Sequence, residues 1–383
     1  MPTPTITPTS LRLGLIGCGY VSKYHLAASA MLGVRIVAAC DTKPEAVSGV
    51  AAKTGAKTYR DAEALMTSGT VDAVLIATPH LLHVPLAIRA LELGLHVLCE
   101  KPLAVSAGEA DRAIAAQAAR PELVFAVNFN HRAWPLWRSI KSLIDAGTLG
   151  PIARYQWTIT DWYRTQWYFN QSAWRGTWAG EGGGLLVNQC PHELDMIAHL
   201  FGPPTRVTAR VRFGKHHDID VEDEVHAIFD HGEDSRGATG SFIASTGEPT
   251  GSNRLEIVGD RGIIRVTAED EYELTTFAAP ASQHTRTSQD RSQPPEFTTR
   301  RVVTGGHDNE YTDVLANFVD VCAGRAKPMA SVADARTSIE MANAILLADD
   351  ASHSVTLPVD RPAFAALLER RQRGEACTPK ETH

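Results

Sequence analysis

The sequence predicts an α/β protein in which a doubly wound parallel sheet precedes a second domain with a mostly antiparallel sheet. First, short apolar runs alternate with amphipathic segments up to about residue 130, as strands and helices do in parallel sheets. Second, a glycine-rich turn follows the first apolar run. Third, short strand-like segments separated by turn residues dominate from Arg206 onward, which is typical of antiparallel sheets.

The composition is that of a globular protein large enough for two domains. The chain has 383 residues, of which 44% are hydrophobic and 21% charged, and its formal net charge is −7. This charge gives no electrostatic reason to expect nucleic acid or an anionic membrane as partner. No apolar stretch approaches the ~20 residues of a membrane span. The first ten residues resemble no signal peptide and are interpreted as a flexible tail, so we expect a cytoplasmic protein.

The cysteine and histidine spacings predict no metal site. The six cysteines show no C-x-x-C pattern, so we expect reduced, structural thiols without disulfides or zinc. His216, His217 and Asp218 precede several acids, but they fit no metal-site template. We interpret this segment as a solvated loop and strand edge.

The glycine turn carries a dinucleotide-binding pattern. The run LRLGLI leads into GCGYVS, which is G-x-G-x-x-G with Ser22 in the third position. Gly17 permits a tight turn, Gly19 lets the backbone approach a pyrophosphate, and the third position needs only a small residue. The following helix would direct its N-terminus at phosphate. Tyr20 and Val21, inside the turn, are predicted to bind the cofactor as well.

An acid at the end of the second strand favours NAD over NADP. The run VRIVAAC ends on Asp41, where a carboxylate can bind ribose hydroxyls. Asp41 would repel a 2′-phosphate, although Lys43 lies nearby.

Two later strands end in polar residues that are expected to reach the same crevice. The strand over 71–78 leads into Thr78-Pro79-His80, and the run LHVLC leads into Glu100-Lys101-Pro102. The carboxyl ends of parallel strands line the ligand crevice of such folds, so both segments should lie near the nicotinamide. A lysine there can polarise a carbonyl or shuttle a proton. The alternative for Lys101 is a charged turn without function.

Further cofactor contacts are predicted at His80, His83 and Asn130. For the histidines the alternatives are helix capping by His80 and surface exposure of His83, and we prefer exposure for His83. The β–α alternation stops after Asn130. We therefore expect a flexible tail over 1–10, a cofactor domain over 11–130 and a substrate and oligomerisation domain over 131–383.

The second domain begins with an unusual concentration of aromatic residues. All seven tryptophans fall between 134 and 178, which suggests a stacking surface for a ligand such as a sugar. Trp174 is a candidate, and Arg164 and Arg175 could bind hydroxyl groups. The alternative, which we expect for most of these rings, is packing in a core or subunit interface.

A glycine turn over 182–184 precedes a predicted helix from Leu185 to about Gly202. Asn188, His192 and Asp195 recur at i, i+4 and i+7 and would share one face of it. Residues 278–295 are rich in Ser, Gln, Thr and Pro and are interpreted as a mobile insertion. Two helices are predicted over about 308–323 and 331–351.

From about Leu11 to Pro358 the chain resembles the Gfo/Idh/MocA oxidoreductases. Four motifs carry the resemblance: Gly17-x-Gly19, Thr78-Pro79-His80-x-x-His83, Glu100-Lys101-Pro102, and Gly182-Gly183-Gly184 through His192 to Asp195. The resemblance implies an N-terminal Rossmann domain and a C-terminal α+β domain with a large open sheet. It also implies Lys101 and His192 as catalytic pair, and a homodimer or homotetramer formed through that sheet.

Several positions depart from the family pattern. Asn188 stands where the family commonly has Asp, Cys190 where it has Gly, and His80 where it has Asn, while Ser22 replaces the third glycine. Asn188 cannot take up a proton, so a relay through that position is lost. The segment from Trp174 to Gln189 is similar to the branch that contains levoglucosan dehydrogenase and enzymes forming 3-keto sugars.

The expected function is NAD-dependent oxidation of a secondary hydroxyl of a sugar, glycoside or cyclitol. His192 would accept the hydroxyl proton, Lys101 would stabilise the alkoxide, Asn188 would fix a neighbouring hydroxyl, and Asp195 would orient His192. Two alternatives stay open: an NAD-assisted glycoside-cleaving enzyme without net redox change, and a non-enzymatic nucleotide-sensing regulator.

Overall fold

The computed structural model describes residues 7–232 and 237–375. The chain divides into two compact units, one of residues 1–133 with 308–339, the other of residues 134–307 with 340–383. The predicted tail over 1–10 lies mostly outside the described residues. Where it is described, Ser10 and Leu11 each donate a backbone hydrogen bond to the Thr7 carbonyl (3.1 Å).

The first part of the chain forms a parallel sheet of six strands. In chain order it contains β1 (Arg12–Ile16), α1 (Ser22–Leu32), β2 (Arg35–Cys40), α2 (Pro44–Thr54), β3 (Lys57–Tyr59), α3 (Ala62–Met66), β4 (Ala73–Ile76), α4 (His83–Glu92), β5 (His96–Cys99), α5 (Ala107–Ala119) and β6 (Phe125–Val127), with 3₁₀ turns at His80–Leu82 and Asn130–Ala133. The strand order is β3-β2-β1-β4-β5-β6, and every pair is parallel. The predicted doubly wound sheet is thereby confirmed.

Helices cover both faces of this sheet, which explains its continuous apolar strands. All four residues of β4 are buried, because neither face meets water. On one face, residues of α3, α4 and α5 pack together with Val332 and Ile339. On the other face, residues of α1 and α2 pack together with Leu315 and Phe318.

The second part of the chain forms a sheet of nine strands. In chain order the elements are α6 (Pro135–Asp145), β7 (Ile152–Ile159), α7 (Gln166–Asn170), α8 (Leu185–Asn188), α9 (Pro191–Phe201), β8 (Arg206–Phe213), β9 (Glu222–Asp230), β10 (Thr239–Ser245), β11 (Asn253–Gly259), β12 (Gly262–Ala268), β13 (Glu271–Phe277), α10 (Ala281–Thr287), β14 (Phe297–Val303), α11 (Glu310–Cys322), α12 (Val332–Ala351), β15 (Val355–Thr356) and α13 (Arg361–Gln372). The strand order is β14-β13-β12-β11-β7-β10-β9-β8-β15. The β7–β10 pair is parallel and its other pairs are antiparallel, which confirms a large, mostly antiparallel sheet.

The aromatic segment contains a strand that the sequence analysis did not predict. In β7, Tyr155, Trp157 and Ile159 are buried while Arg154 and Gln156 are exposed, which is the period-two alternation of a strand. Trp137 and Trp178 are buried too. Core packing, the alternative preferred for most of these rings, therefore accounts for three of the seven tryptophans.

The continuous helix predicted from Leu185 to Gly202 was wrong. Helix α8 ends at Asn188, and α9 begins at Pro191 after a cap at Cys190. Proline has no backbone N–H and disfavours helical geometry in the residue before it, so Pro191 starts a new helix. Asn188 therefore does not share a helix with His192 and Asp195.

Two further segments differ from expectation. Residues 278–295 contain helix α10, and Ser282 hydrogen-bonds through its N–H (2.7 Å) and hydroxyl (2.9 Å) to the Asp260 carboxylate. Residues 308–339, expected in the second domain, cluster with the first unit because α11 presents an apolar face to the parallel-sheet core.

Within 7–232 and 237–375, no helix is both long and apolar enough to cross a membrane. The five cysteines in these ranges carry free thiols, and Cys377 lies outside them.

Removal of the Phe318 ring should destabilise the first unit. Phe318 is 1% exposed within the core that contains β1 and α1, and Phe→Ala in such a core costs about 3–5 kcal/mol. Phe318→Ala should therefore lower the free energy of unfolding in urea, followed by circular dichroism. Phe297→Ala, at a ring that is 56% exposed on β14, should change it by less than about 0.5 kcal/mol. Equal effects of the two variants would contradict the placement of α11.

Candidate functional site

The turn after β1 has the geometry that a dinucleotide requires. Gly17 has φ +95°, and a Cβ there would lie 2.4 Å from the Ala77 carbonyl oxygen, so no other residue fits without a shift. A Cβ at Gly19 would meet no atom within 4 Å, so open space adjoins the backbone where a pyrophosphate could approach. Ser22 is buried, and its hydroxyl donates to the Gly19 carbonyl (2.7 Å), which closes the turn without a third glycine.

Asp41 is held in place at the end of β2. Its Oδ2 accepts from the Cys18 N–H and its Oδ1 from the Lys43 N–H, both at 2.8 Å. A carboxylate has about four lone-pair sites, so each oxygen can accept a further bond from a ribose hydroxyl. These observations fit NAD bound by the glycine turn and Asp41.

Tyr20 and Val21 lie at the rim of this turn. Tyr20 is 76% exposed, and the Lys23 ammonium lies 3.8 Å from the centre of its ring. Val21 is half-buried and is the cap residue of α1. Both lie where a bound dinucleotide could contact them, and their roles stay predictions.

His83 links the segments that follow strands β4 and β5, and it is not exposed. It is 1% exposed, with Nδ1 2.7 Å from the Pro102 carbonyl oxygen and Nε2 2.8 Å from that of Thr78. The expected exposure of His83 was therefore wrong. Burial lowers the pKa of His83, and a neutral imidazole donates to only one of these carbonyls at a time. His80 is buried as well, with its ring 6.0 Å from that of His83.

Glu100 faces the interior of the first unit. It is 6% exposed, and its Oε1 lies 2.7 Å from both His25 Nε2 and Asn128 Nδ2. Its Oε2 accepts from the Lys101 N–H (3.2 Å). Burial alone would raise its pKa, but His25, Asn128 and the Lys101 ammonium together lower it. The carboxylate is thus committed to protein donors, which argues against the predicted cofactor contact.

Asn130 is tied to helix α11. Its side-chain amide donates to Glu310 Oε1 (2.6 Å), and among the residues that the structure describes its buried Oδ1 meets no hydrogen-bond donor. An unpaired buried oxygen is costly, so the Asn130 carbonyl is suited to accept from a ligand. The predicted cofactor contact at Asn130 is compatible with this placement.

In the second unit, Tyr168 connects several of the predicted residues. Its hydroxyl accepts from Arg175 Nη1 (2.5 Å) and lies 3.4 Å from the amide nitrogens of Asn188 and Gln189. The guanidinium groups of Arg175 and Arg164 lie 4.5 and 5.1 Å from its ring centre. We call these five residues the Tyr168 cluster. Tyr168 itself was not predicted as a site residue, because in sequence it is one of many aromatic residues between 134 and 178.

Trp174 borders this cluster. The Arg175 guanidinium lies 4.5 Å from the centre of the Trp174 ring, and Trp174 is half-buried. A Cβ at Gly180 would lie 2.5 Å from the Trp174 Cα. The Trp174 backbone is therefore packed against the glycine that precedes the 182–184 turn.

Two buried carboxylates anchor the turn over 182–184. Glu181 accepts from the Gly176 N–H (2.7 Å) and from the side-chain amide of Asn188. Glu222 accepts from the N–H groups of Gly184 (2.9 Å) and Leu186 (3.0 Å). Burial raises the pKa of Glu222 to about 7. Neither carboxylate was predicted as a site residue, because three of these partners are backbone N–H groups, which a sequence does not identify.

His192 and Asp195 lie on α9. His192 is 7% exposed and Asp195 is 0% exposed. Complete burial of Asp195 favours a role behind His192 over direct contact with a substrate. Among the described residues no group of three or more His, Cys, Asp or Glu side chains is arranged to hold a metal ion.

The predicted residues thus form separate groups within the units. In the first unit, His83 links the segments that follow β4 and β5, and Asp41 is hydrogen-bonded to the glycine turn. The second unit brings Arg164, Arg175 and Asn188 to Tyr168.

Family models match both parts of the chain. The model described as an oxidoreductase family with an NAD-binding Rossmann fold matches residues 11–129, and a GFO/IDH/MocA C-terminal domain matches residues 137–265. The chain is 30% identical over 301 residues to levoglucosan dehydrogenase of Pseudarthrobacter phenanthrenivorans, covering 69% of this chain and 75% of that enzyme.

Solved structures share the fold. The WlbA dehydrogenase of Bordetella pertussis in complex with NADH and UDP-GlcNAcA is 27% identical, with a TM-score of 0.78 over 93% of this chain and 100% of that one. A levoglucosan dehydrogenase in complex with NADH and L-sorbose is 25% identical, with a TM-score of 0.79 over 91% and 99%.

Alanine at the two turn glycines should separate folding from cofactor binding. Gly17→Ala forces the 2.4 Å contact and strains a positive φ, so both the melting temperature and NADH affinity should fall. Gly19→Ala meets no protein atom, so the melting temperature should hold while NADH affinity falls at least about tenfold through obstruction of the pyrophosphate. Thermal unfolding and NADH fluorescence titration measure the two effects. Gly49→Ala, also without contacts, is the control and should bind NADH like the wild type.

Glu222 should make the second unit less stable as pH rises. Its pKa is raised from 4.5 to about 7, so the folded protein binds more protons than the unfolded chain between these values, and stability falls across that range. This fall amounts to about 2–3 kcal/mol of unfolding free energy, or roughly 5 °C in melting temperature between pH 5 and 8. Glu222→Gln should abolish it. Glu224→Gln is the control, because Lys215 and His216 lower the pKa of Glu224 and its contribution has the opposite sign. Parallel melting curves for wild type and Glu222→Gln across pH would refute this role.

Proposed function

Because the chain belongs to the Gfo/Idh/MocA family of NAD-binding oxidoreductases, we propose that it oxidises a secondary hydroxyl of a pyranose sugar, glycoside or cyclitol to a ketone. The observation that carries the proposal is Lys101 at the end of β5, in the unit whose glycine turn and Asp41 fit NAD. Similarity to levoglucosan dehydrogenase supports a sugar substrate, and we propose C3 of a glucoside as the position oxidised.

The first unit supplies the cofactor site and a cation that stabilises the reacting oxygen. Bound NAD⁺ would supply the hydride acceptor for the carbinol carbon. Gly19, in the turn that Gly17 permits, would leave room for its pyrophosphate, and the fixed Asp41 carboxylate would accept from its ribose. Lys101, as a cation, stabilises the negative charge that develops on the substrate oxygen. Asp41 also disfavours a 2′-phosphate, so NAD should be preferred to NADP.

The second unit supplies the base and the sugar contacts. His192 carries an imidazole, a group suited to accept the proton of the reacting hydroxyl. Fully buried Asp195 would support it from the next turn of α9. Arg175 and Asn188 already point donors at one hydroxyl, that of Tyr168, and a sugar hydroxyl can compete for such donors. A crystal structure with bound sugar tests these contacts.

The remaining expectations are a homodimer or homotetramer through the nine-stranded sheet and a cytoplasmic location. Both stay predictions. Light scattering of the purified protein decides the oligomeric state, and a monomer would refute the first of them.

Loss of Lys101 or His192 should abolish NAD reduction. Lys101→Ala removes the charge that stabilises the alkoxide, and His192→Ala removes the base, so each should lower kcat at least about 10²-fold. The measurement is NADH formation at 340 nm with levoglucosan, methyl glucosides and inositols. NADP⁺ in place of NAD⁺ should give a lower kcat/KM.

Two exposed or half-exposed residues serve as controls. Lys53→Ala, on α2, and His199→Ala, on the last turn of α9, should keep kcat within twofold. Activity of Lys101→Ala and His192→Ala equal to the wild type would overturn the assigned roles. Glycoside cleavage without NADH accumulation would instead indicate the non-redox enzyme, and NAD binding without turnover would indicate the regulator.

A further inference from the structure

Lys101 lies between two residues that are each held by a buried histidine. The residue before it, Glu100, is bonded to His25 (2.7 Å) from helix α1, and the carbonyl of the residue after it, Pro102, is 2.7 Å from His83 of helix α4. The two histidines are 2% and 1% exposed. Their ring nitrogens are engaged with Glu100, Pro102 and Thr78, and no step of the proposed reaction uses them.

We propose that His25 with Glu100, and His83 independently, are positioning residues that fix the charge state and the orientation of Lys101. The inference rests on the proposed function for its kinetic part. Its electrostatic part concerns Lys101 itself and is measurable in the absence of turnover. Glu100 with His25 acts on the charge of the lysine, which is the electrostatic half, whereas His83 acts on its orientation.

Glu100 and His25 act on charge. The Glu100 carboxylate is buried, and the Lys101 ammonium is among the groups that lower its pKa. The interaction is mutual, so the Glu100 charge favours the cationic form of Lys101. The other titratable groups that act on Glu100 or respond to it are His25 on α1, Cys99 on β5, His83 on α4 and Tyr311 on α11.

His25 is what keeps the Glu100 carboxylate ionised inside the unit. Of the groups that lower its pKa, the hydrogen bond from His25 has the largest effect. The His25 ring is itself fixed by Tyr311, whose ring meets it edge-on at 5.0 Å. Tyr311 belongs to α11, so a helix distant in sequence supports the histidine that is bonded to Glu100.

His83 acts on orientation. It bridges the carbonyls of Thr78 and Pro102 at 2.8 and 2.7 Å, so the exits of β4 and β5 cannot separate without loss of a buried hydrogen bond. A lysine held between a fixed carboxylate and a fixed carbonyl has a defined backbone from which its side chain departs. A displacement of about 1 Å at a reacting group can lower rates ~10²-fold, so such restraint bears on kcat.

A stabilising role alone is the alternative, because buried hydrogen-bonded groups also support folding. It predicts that variants lose stability without any change in the titration of Lys101 or in kcat of the folded fraction. The two explanations therefore differ in what the lysine itself reports.

The first experiment reads Lys101 directly. Competitive acetylation with acetic anhydride across pH, with peptide mass spectrometry, gives the titration midpoint of each lysine in the wild type and in Glu100→Gln. Glu100→Gln keeps the shape of the side chain and removes its charge, so the Lys101 midpoint should fall by about one unit or more. Lys53 should not shift in either protein. An unchanged Lys101 midpoint overturns the electrostatic half.

The second experiment reads catalysis. Glu100→Gln should move the alkaline limb of the kcat profile to lower pH. His83→Leu should lower kcat at least about tenfold. It should shift neither the alkaline limb of the pH profile nor the Lys101 acetylation midpoint. His25→Gln leaves Glu100 in place and should lower kcat at least about tenfold while NADH affinity stays within twofold. This variant tests the role of His25 and Glu100 in case Glu100→Gln fails to fold.

Matched controls come from the same strand and the same unit. His96, at the opposite end of β5, accepts from the Val124 N–H (2.9 Å), so His96→Gln alters a structural histidine remote from the strand exit. Glu63→Gln breaks a surface ion pair with Arg89. Both should leave kcat and its pH profile unchanged.

The outcomes separate this inference from the proposed function. Loss of activity in Lys101→Ala with wild-type kcat and pH profiles in all three positioning variants refutes the positioning roles and leaves the dehydrogenase intact. A fully active Lys101→Ala refutes the role assigned to Lys101, whereas the absence of NADH formation by the wild type on every sugar and cyclitol tested refutes the proposed function. In either case the acetylation midpoints still decide whether Glu100 sets the charge of Lys101.

Discussion

The buried carboxylate of Glu100 is the constraint around which the first unit is arranged. A charge inside a sheet protein is tolerated only when donors surround it, and these donors come from different elements: His25 from α1, Asn128 after β6 and the Lys101 backbone after β5. Helix α11 then closes the group by placing Tyr311 against His25. The apolar face of α11 accounts for the position of residues 308–339 in the first unit, and the Tyr311 ring adds a contact to His25.

The second unit depends on a comparable pair of buried acids, and they explain a departure from the family pattern. Glu181 accepts from the Asn188 amide. An aspartate at 188 would place a second carboxylate against a buried one, and such pairs strongly disfavour joint ionisation. Asn188 is thus suited to the glutamate at 181, and the loss of a proton acceptor there is coupled to the acid that anchors the glycine turn.

Both sheets followed from sequence patterns that report local physics, because apolar runs and a glycine turn each depend on a few consecutive residues. The site roles of the glycine turn and of the polar strand ends stay predictions. The errors at His83 and at residues 308–339 have a common cause in long-range packing. Nothing near His83 in sequence indicates that the Pro102 carbonyl oxygen will lie 2.7 Å from its Nδ1, and nothing near α11 indicates a partner in α1. Strand β7 was obscured because its buried positions are Tyr and Trp, which also suit ligand stacking.

The break before Pro191 shows how local chemistry and site geometry are connected. Pro191 interrupts the helix between Asn188 and His192. Helix α8 is therefore held separately, by Glu222, which accepts hydrogen bonds from the N–H groups of Gly184 and Leu186. Asn188 is therefore positioned by the acids beneath the glycine turn, whereas His192 is positioned by α9. Two independently held elements can place an amide and an imidazole at separate points of a sugar ring, whereas a continuous helix would stack them one turn apart.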